Sequence, residues 1–198
     1  MAATNPQRPE SACMLCGTTR RPVAAQLGIC LDCIRNRPDA TQPAANEAHA
    51  TVRHEFDLPP APPRAEDGVQ CGLCVQDCVI AEGGRGYCGL REVEDGKLRH
   101  RSGTPQAGLL HWYRDPLPTN CVADWVCSGS RQRGKHNLAV FYQSCTFDCL
   151  YCQNWHYREV DPDRSDRISA ANLAVAANDR TYCVCYFGGD PASQMPHA

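Results

Sequence analysis

The chain has 198 residues, a formal net charge of −2 and 42% hydrophobic residues, values ordinary for one or two soluble domains. A charge balance this close to neutral favours neither nucleic acid nor an acidic membrane surface as a partner, and basic clusters such as Arg20-Arg21 and Arg131 to Lys135 are short enough to be solvated loops. No run approaches 18 consecutive apolar residues, so no membrane span is expected.

Cysteine is the outlier, with fifteen in the chain. Met1 to Glu10 is polar and Pro-containing and lacks the basic-then-apolar pattern of a signal segment. A cytoplasmic location is therefore expected, and in a reducing compartment dense cysteines bind metal more often than they pair. Four segments follow in order: a four-cysteine unit over 1–35, a Pro/Ala-rich linker over 36–67, a Cys-rich leader over 68–130, and an α/β segment over 131–198.

In the first segment Cys13-x2-Cys16 and Cys30-x2-Cys33 form two knuckles separated by 13 residues. This spacing is similar to a zinc ribbon or a rubredoxin-like knuckle. Four thiolates complete a tetrahedron and leave no open position, so the site reads as structural. Zinc is the first expectation, with iron or a redox disulfide as alternatives. A unit this small cannot fold on apolar burial alone. The following stretch, with RPDATQPAANEAHA and LPPAPPRAED, has no apolar period and reads as flexible or polyproline-like.

The leader carries Cys71-x2-Cys74-x3-Cys78-x9-Cys88, again four thiolates. Zinc, a second iron–sulfur cluster or buried thiols in a Gly-rich loop all remain open. Asp95-Gly96 between two short alternating runs predicts a hairpin.

In the last segment Leu138 to Tyr142 is a short apolar run and reads as a buried strand. Ile168 to Asn178 is Ala-rich, with Ser165-Asp166 or Ser169 as caps, and predicts a helix. Tyr182 to Phe187 reads as a second strand. Strand, loop, helix, strand implies a parallel βαβ unit.

Directly after the first strand, SCTFDCLYCQNW sets Cys145, Cys149 and Cys152 at a three-then-two spacing. The same positions share one face of a helix and would then be core residues. The preceding strand and the turn-forming Asp148 and Asn154 favour a loop. Three thiolates from one loop can hold three irons of a [4Fe–4S] cluster, which normally takes four. The fourth iron is then open to a chelating ligand such as S-adenosylmethionine (SAM), whose amino and carboxylate groups can bind together.

This segment resembles the CxxxCxxC signature of the radical SAM superfamily, including the aromatic Tyr151 before the third cysteine. The resemblance implies that backbone near Tyr151 touches the SAM adenine. It also implies that Gly188-Gly189-Asp190, at the edge of the second strand, is the element binding the SAM amino group, with Asp190 one methylene shorter than the family's Glu. Taken alone, the same three residues read as a plain turn. Cys71 to Cys88 and the run from Asp115 to Cys127 are similar to the leader of proteins related to pyruvate formate-lyase activating enzyme, of the AmmeMemoRadiSam type. The implied fold is the first βαβ unit of a partial (β/α)6-type barrel preceded by small Cys-rich modules, and the chain reads as truncated at its C-terminal side. The implied function is reductive cleavage of SAM to a 5′-deoxyadenosyl radical for hydrogen abstraction, with a flavodoxin or ferredoxin as reductant and a substrate left open, a protein glycine among the candidates. The rival readings are a non-catalytic zinc-binding interaction module and an electron-transfer iron–sulfur protein, the latter requiring a fourth thiolate from Cys121, Cys127 or Cys183. Cys183 and Cys185 share one face of their strand and read as packing. The histidines lack ligand spacing, and none is assigned.

Overall fold

The structure is a computed structural model that describes residues 12–198; the polar segment from Met1 to Glu10 lies outside them. The chain divides into two compact units, one ending at Val52 and the other running from Arg53 to Ala198.

The first unit begins with two knuckles. Gly17 and Gly28 adopt φ values of +70° and +63°, left-handed conformations that glycine reaches without steric cost. The second knuckle runs into α1 (Leu31–Asn36), which carries Cys33. The buried core here is Cys13, Ile29, Cys30 and Cys33, with Leu15, Val23 and Ala44 against it.

The linker expected over 36–67 is in part a helix, α2 (Pro38–Glu55). Its signals are local rather than periodic. Pro38 opens the helix, where its missing N–H costs nothing, and Asp39 sits in the positive first turn. Thr41 Oγ1 donates to the Pro38 carbonyl at 2.8 Å. Five alanines supply the highest helix propensity available, enough to tolerate Pro43 inside the helix. Only the segment after the helix, with its four prolines, remains irregular.

The second unit is built on sheet with few helices. Strands β1 (Val69–Gln70) and β2 (Val79–Ile80) pair antiparallel around the leader cysteines. Strands β3 (Arg91–Glu94) and β4 (Lys97–His100) form the expected hairpin, with Asp95 and Gly96 at φ +53° and +67°, as a type I′ turn demands. Then come β5 (Gly108–Pro116), β6 (His136–Tyr142), β7 (Arg167–Ile168), α3 (Ala170–Val175) and β8 (Thr181–Gly188).

The larger sheet has the order β7-β5-β6-β8. β6 and β8 run parallel, joined through α3, so the βαβ unit is present. Ser169 caps α3, its hydroxyl accepting from the Asn172 amide at 3.1 Å. Leu173 packs with Leu110, Val140 and Tyr142 to cover one sheet face.

The sheet extends beyond that unit. β6 pairs on its other side with β5 in antiparallel register, Leu110 opposite Tyr142 and Pro116 opposite His136. The sheet is therefore mixed, with the parallel β6–β8 pair flanked by antiparallel β5. The β5 run, GLLHWYRDP, mixes apolar and charged residues without alternation, because Asp115 is buried and serves as an internal acceptor for Asn137 Nδ2 at 3.2 Å and Asn120 Nδ2 at 2.9 Å. Among the described residues no helix is long and apolar enough to cross a membrane.

Candidate metal centres

In the first unit the four sulfur atoms of Cys13, Cys16, Cys30 and Cys33 lie within 4.8 Å of one another. Cys13 and Cys33 are 3.8 Å apart at sulfur, and Cys16 and Cys30 3.7 Å. A tetrahedron with metal–sulfur bonds of about 2.3 Å has edges of about 3.8 Å, so the cage has the dimensions of a single four-thiolate ion. All four cysteines are unbonded thiols; a disulfide would bring two sulfurs to about 2 Å. The Cys30 amide donates to Cys13 Sγ at 3.3 Å, and this bond above all draws the Cys13 thiol down to about 6. Burial first, and then the neighbouring sulfurs, push Cys33 up to about 12. The cage thus favours charge on one sulfur and resists it on another, a conflict that a bound cation relieves.

The leader cysteines Cys71, Cys74, Cys78 and Cys88 line one small recess together with Arg91 and Ser193. The hairpin turn brings them together: the Cys71 amide donates to the Cys78 carbonyl at 2.9 Å, and the Tyr87 amide donates to Cys78 Sγ at 3.5 Å. Burial raises both Cys78 and Cys88, and the other thiols of the group add to it. Arg91 is buried, gives its terminal nitrogens to the carbonyls of Leu90, Ser102 and Ser193, and leaves Nε without a partner. A buried cation beside four thiols lowers the cost of ionising them.

Cys145, Cys149 and Cys152 occupy a loop, not a helix face, so the core reading fails. Ser144 and Asp148 are at φ +80° and +51°, which forces the chain off the strand end. All three thiols are half-buried. Burial first, and then Asp190, push Cys145 up to about 11. Asp148 anchors the loop from beneath. It is fully buried, and its carboxylate accepts from Arg53 Nη1 at 2.7 Å, Arg158 Nε at 2.6 Å and Tyr157 Oη at 2.5 Å. Burial works to raise this carboxyl, but those hydrogen bonds and the two guanidinium charges outweigh it and hold it below the usual range. The loop also touches the leader: Ser144 Oγ donates to the Cys88 carbonyl at 2.7 Å, and Gln76 Nε2 donates to the Thr146 carbonyl at 2.7 Å.

Tyr151 is 90% exposed, so it is not packing filler. Gly189 is at φ +59°, and a Cβ there would meet the Tyr142 carbonyl oxygen at 2.2 Å. The glycine thus lets β8 cross close over the end of β6. Asp190 sits beyond it with both oxygens engaged: one accepts from the Thr146 amide, the other from the Ala192 amide at 2.9 Å. Its first task is to clasp the cysteine loop, with lone pairs to spare. A cavity of about 240 Å³ opens beside these residues. It is lined by Gln143 and Asn154, which flank the loop, and by Gly188 and Gly189, and one wall is the stacked pair His111 and Phe141, with ring centroids 4.9 Å apart.

Sequence reading missed Arg53 and Arg158 as loop anchors, since nothing in the local pattern distinguishes an anchor arginine from a solvated one.

No family model matches the chain, and no solved structure matches it. A protein of Methanocaldococcus jannaschii, described only as uncharacterized, is 31% identical over 108 residues, which cover 50% of this chain. The chain spans 27% of that relative's length.

Proposed function

We propose that Cys145, Cys149 and Cys152 hold a [4Fe–4S] cluster whose fourth iron takes SAM, and that the chain carries the cluster-binding part of a radical SAM enzyme. One observation carries this reading. A three-thiol loop, pinned beneath by the buried Asp148 and its partners, sits at the C-terminal edge of a parallel strand pair, where ligands of α/β folds gather, next to a cavity ending at two glycines.

The residues fit the group. Three half-buried thiols from one turn match a cluster with one iron left open. Among the described residues the N-terminal four sulfurs close to within 4.8 Å, the packing of a single ion and so a different kind of site. When bound and reduced, such a cluster supplies one electron to SAM and so initiates radical chemistry.

The chain's own residues have separate duties in this reading. Asp148 fixes the loop, and the exposed Tyr151 offers backbone and ring to an adenine. Gly188 and Gly189 clear space, and Asp190 would use its remaining lone pairs to accept from the ammonium group. The barrel expected around such a site, the reductant (a flavodoxin or ferredoxin) and the substrate belong to the proposal as well. In the N-terminal unit the cage dimensions favour zinc in a structural role; in the leader the buried Arg91 favours an anionic metal-thiolate centre.

The test is spectroscopic. The full chain is reconstituted with iron and sulfide without oxygen, reduced, and examined by electron paramagnetic resonance before and after SAM. A cluster signal that shifts on SAM addition, lost in Cys149→Ala, is the expected result. An intact cluster blind to SAM would overturn the reading in favour of electron transfer.

A further inference from the structure

The three groups above take eleven of the fifteen cysteines. The remaining four, Cys121, Cys127, Cys183 and Cys185, are not scattered. Two lie in the loop between β5 and β6, and two lie on β8. In register, Cys183 stands beside Asn137 and Cys185 beside Ala139, so both thiols leave the same face of the sheet. Their sulfurs are 3.8 Å apart, again the edge of a tetrahedral thiolate site.

The loop is fastened in place. The Leu117 amide donates to the Lys135 carbonyl at 3.0 Å, pinching its ends, and Tyr182 Oη donates to Ser128 Oγ at 2.9 Å, tying it to β8. A Cβ placed on Gly129 would touch both Cys127 Sγ and the Tyr182 ring, at 3.4 and 3.5 Å. Cys121, Cys127 and Cys185 line one open cavity of about 880 Å³.

We propose that Cys121, Cys127, Cys183 and Cys185 form a further four-thiolate metal site that bridges the β5–β6 loop to strand β8. None of the four is fully buried, whereas thiols serving only as packing are among the most buried side chains. An all-sulfur donor set selects a soft cation, zinc or iron. The Cys183–Cys185 edge favours a single ion, toward which the loop cysteines close on binding. The site does not depend on the SAM reading, since it shares no ligand with the Cys145 loop.

The experiment compares the full chain with Cys183→Ser/Cys185→Ser, each purified without oxygen from zinc-supplied and from iron-supplied growth. Metal content is measured per chain, and thiol alkylation is mapped residue by residue. The expected result is loss of about one ion per chain, with Cys121 and Cys127 turning from protected to reactive while Cys13, Cys16, Cys30 and Cys33 stay protected. Zinc or iron in that difference identifies the occupant. Should the strand variant fail to fold, Cys121→Ser alters only the loop, and it must expose Cys127, Cys183 and Cys185 together. Unchanged metal content with equal alkylation in parent and variant overturns the site. So does protection that survives complete metal removal, whether it comes from burial or from a disulfide.

Discussion

Arg53 and Asp148, separated by 95 positions in sequence, form a buried ion pair at 2.7 Å beneath the Cys145 loop. The guanidinium also donates to the carbonyls of Pro59 and Tyr87 and lies 3.6 Å from the Tyr87 ring centroid. Each guanidinium nitrogen and each carboxylate oxygen of the pair has a partner, which is what makes a buried charge tolerable.

Arg53→Ala therefore leaves Asp148 with only Arg158 and Tyr157, and strands two carbonyls. The expected cost is about 3–5 kcal/mol, read by urea unfolding of the metal-free chain. Iron retention should fall with it, because the loop loses its floor. Wild-type stability in this variant would show that the pair does not support the loop.

Metal removal should act unequally on the two units. The first unit has a core made largely of three of its four grouped cysteines, so if they hold zinc a strong chelator should melt residues 12–52, as should Cys16→Ala. Hydrogen exchange should then rise across that unit and stay low in β5, β6 and β8. Uniform protection after metal loss would contradict a structural zinc.

Cys149→Ala should abolish the visible absorbance of an iron–sulfur centre, whereas Cys16→Ala should leave it intact. Iron assay alongside absorbance separates the two sites, and loss of iron in the second variant would join sites that are assigned here as separate.

The two glycines at the end of β8 should differ. Gly188→Ala meets the Phe141 ring at 2.5 Å, a side chain that can turn aside; Gly189→Ala meets the Tyr142 backbone at 2.2 Å with φ at +59°. Left-handed strain of about 1–3 kcal/mol adds to overpacking of about 1–3 kcal/mol at Gly189. Thermal unfolding should rank Gly189→Ala well below Gly188→Ala.

Tyr151→Ala removes a side chain that is 90% exposed, so stability should change by less than about 0.5 kcal/mol. A weakened spectroscopic response to SAM in an otherwise normal protein would support its place beside the ligand; an unchanged response would remove it from the site.

What could be read from sequence was whatever is written locally. The knuckles of Cys13 to Cys33 declare themselves by spacing, the β3–β4 hairpin by Asp95-Gly96, and the β6–α3–β8 unit by apolar runs and Ser169. Helix α2 was hidden because Ala-rich propensity leaves no apolar stripe, and its own Pro38 and Pro43, with the Pro-rich run after it, mimic a linker. β5 was hidden because Asp115 faces inward to Asn137, which breaks the alternation a strand is expected to show. Cys121 and Cys127 have no motif of their own; only the register of β8 against β6 brings a partner pair to their side. The Arg53–Asp148 contact is equally silent, since the interaction exists only once two distant segments have met.

The sparse interior of the first unit has a consequence for biogenesis. On the structural-zinc reading this segment cannot be shaped by oily side chains, so the supply of a thiophilic ion sets when it acquires form. On the proposed cluster reading, the Cys145 loop, already pinned around Asp148 without metal, can await its inorganic cargo on a finished body. Cells starved of the first supply should thus accumulate protein with an unformed front and a sound remainder.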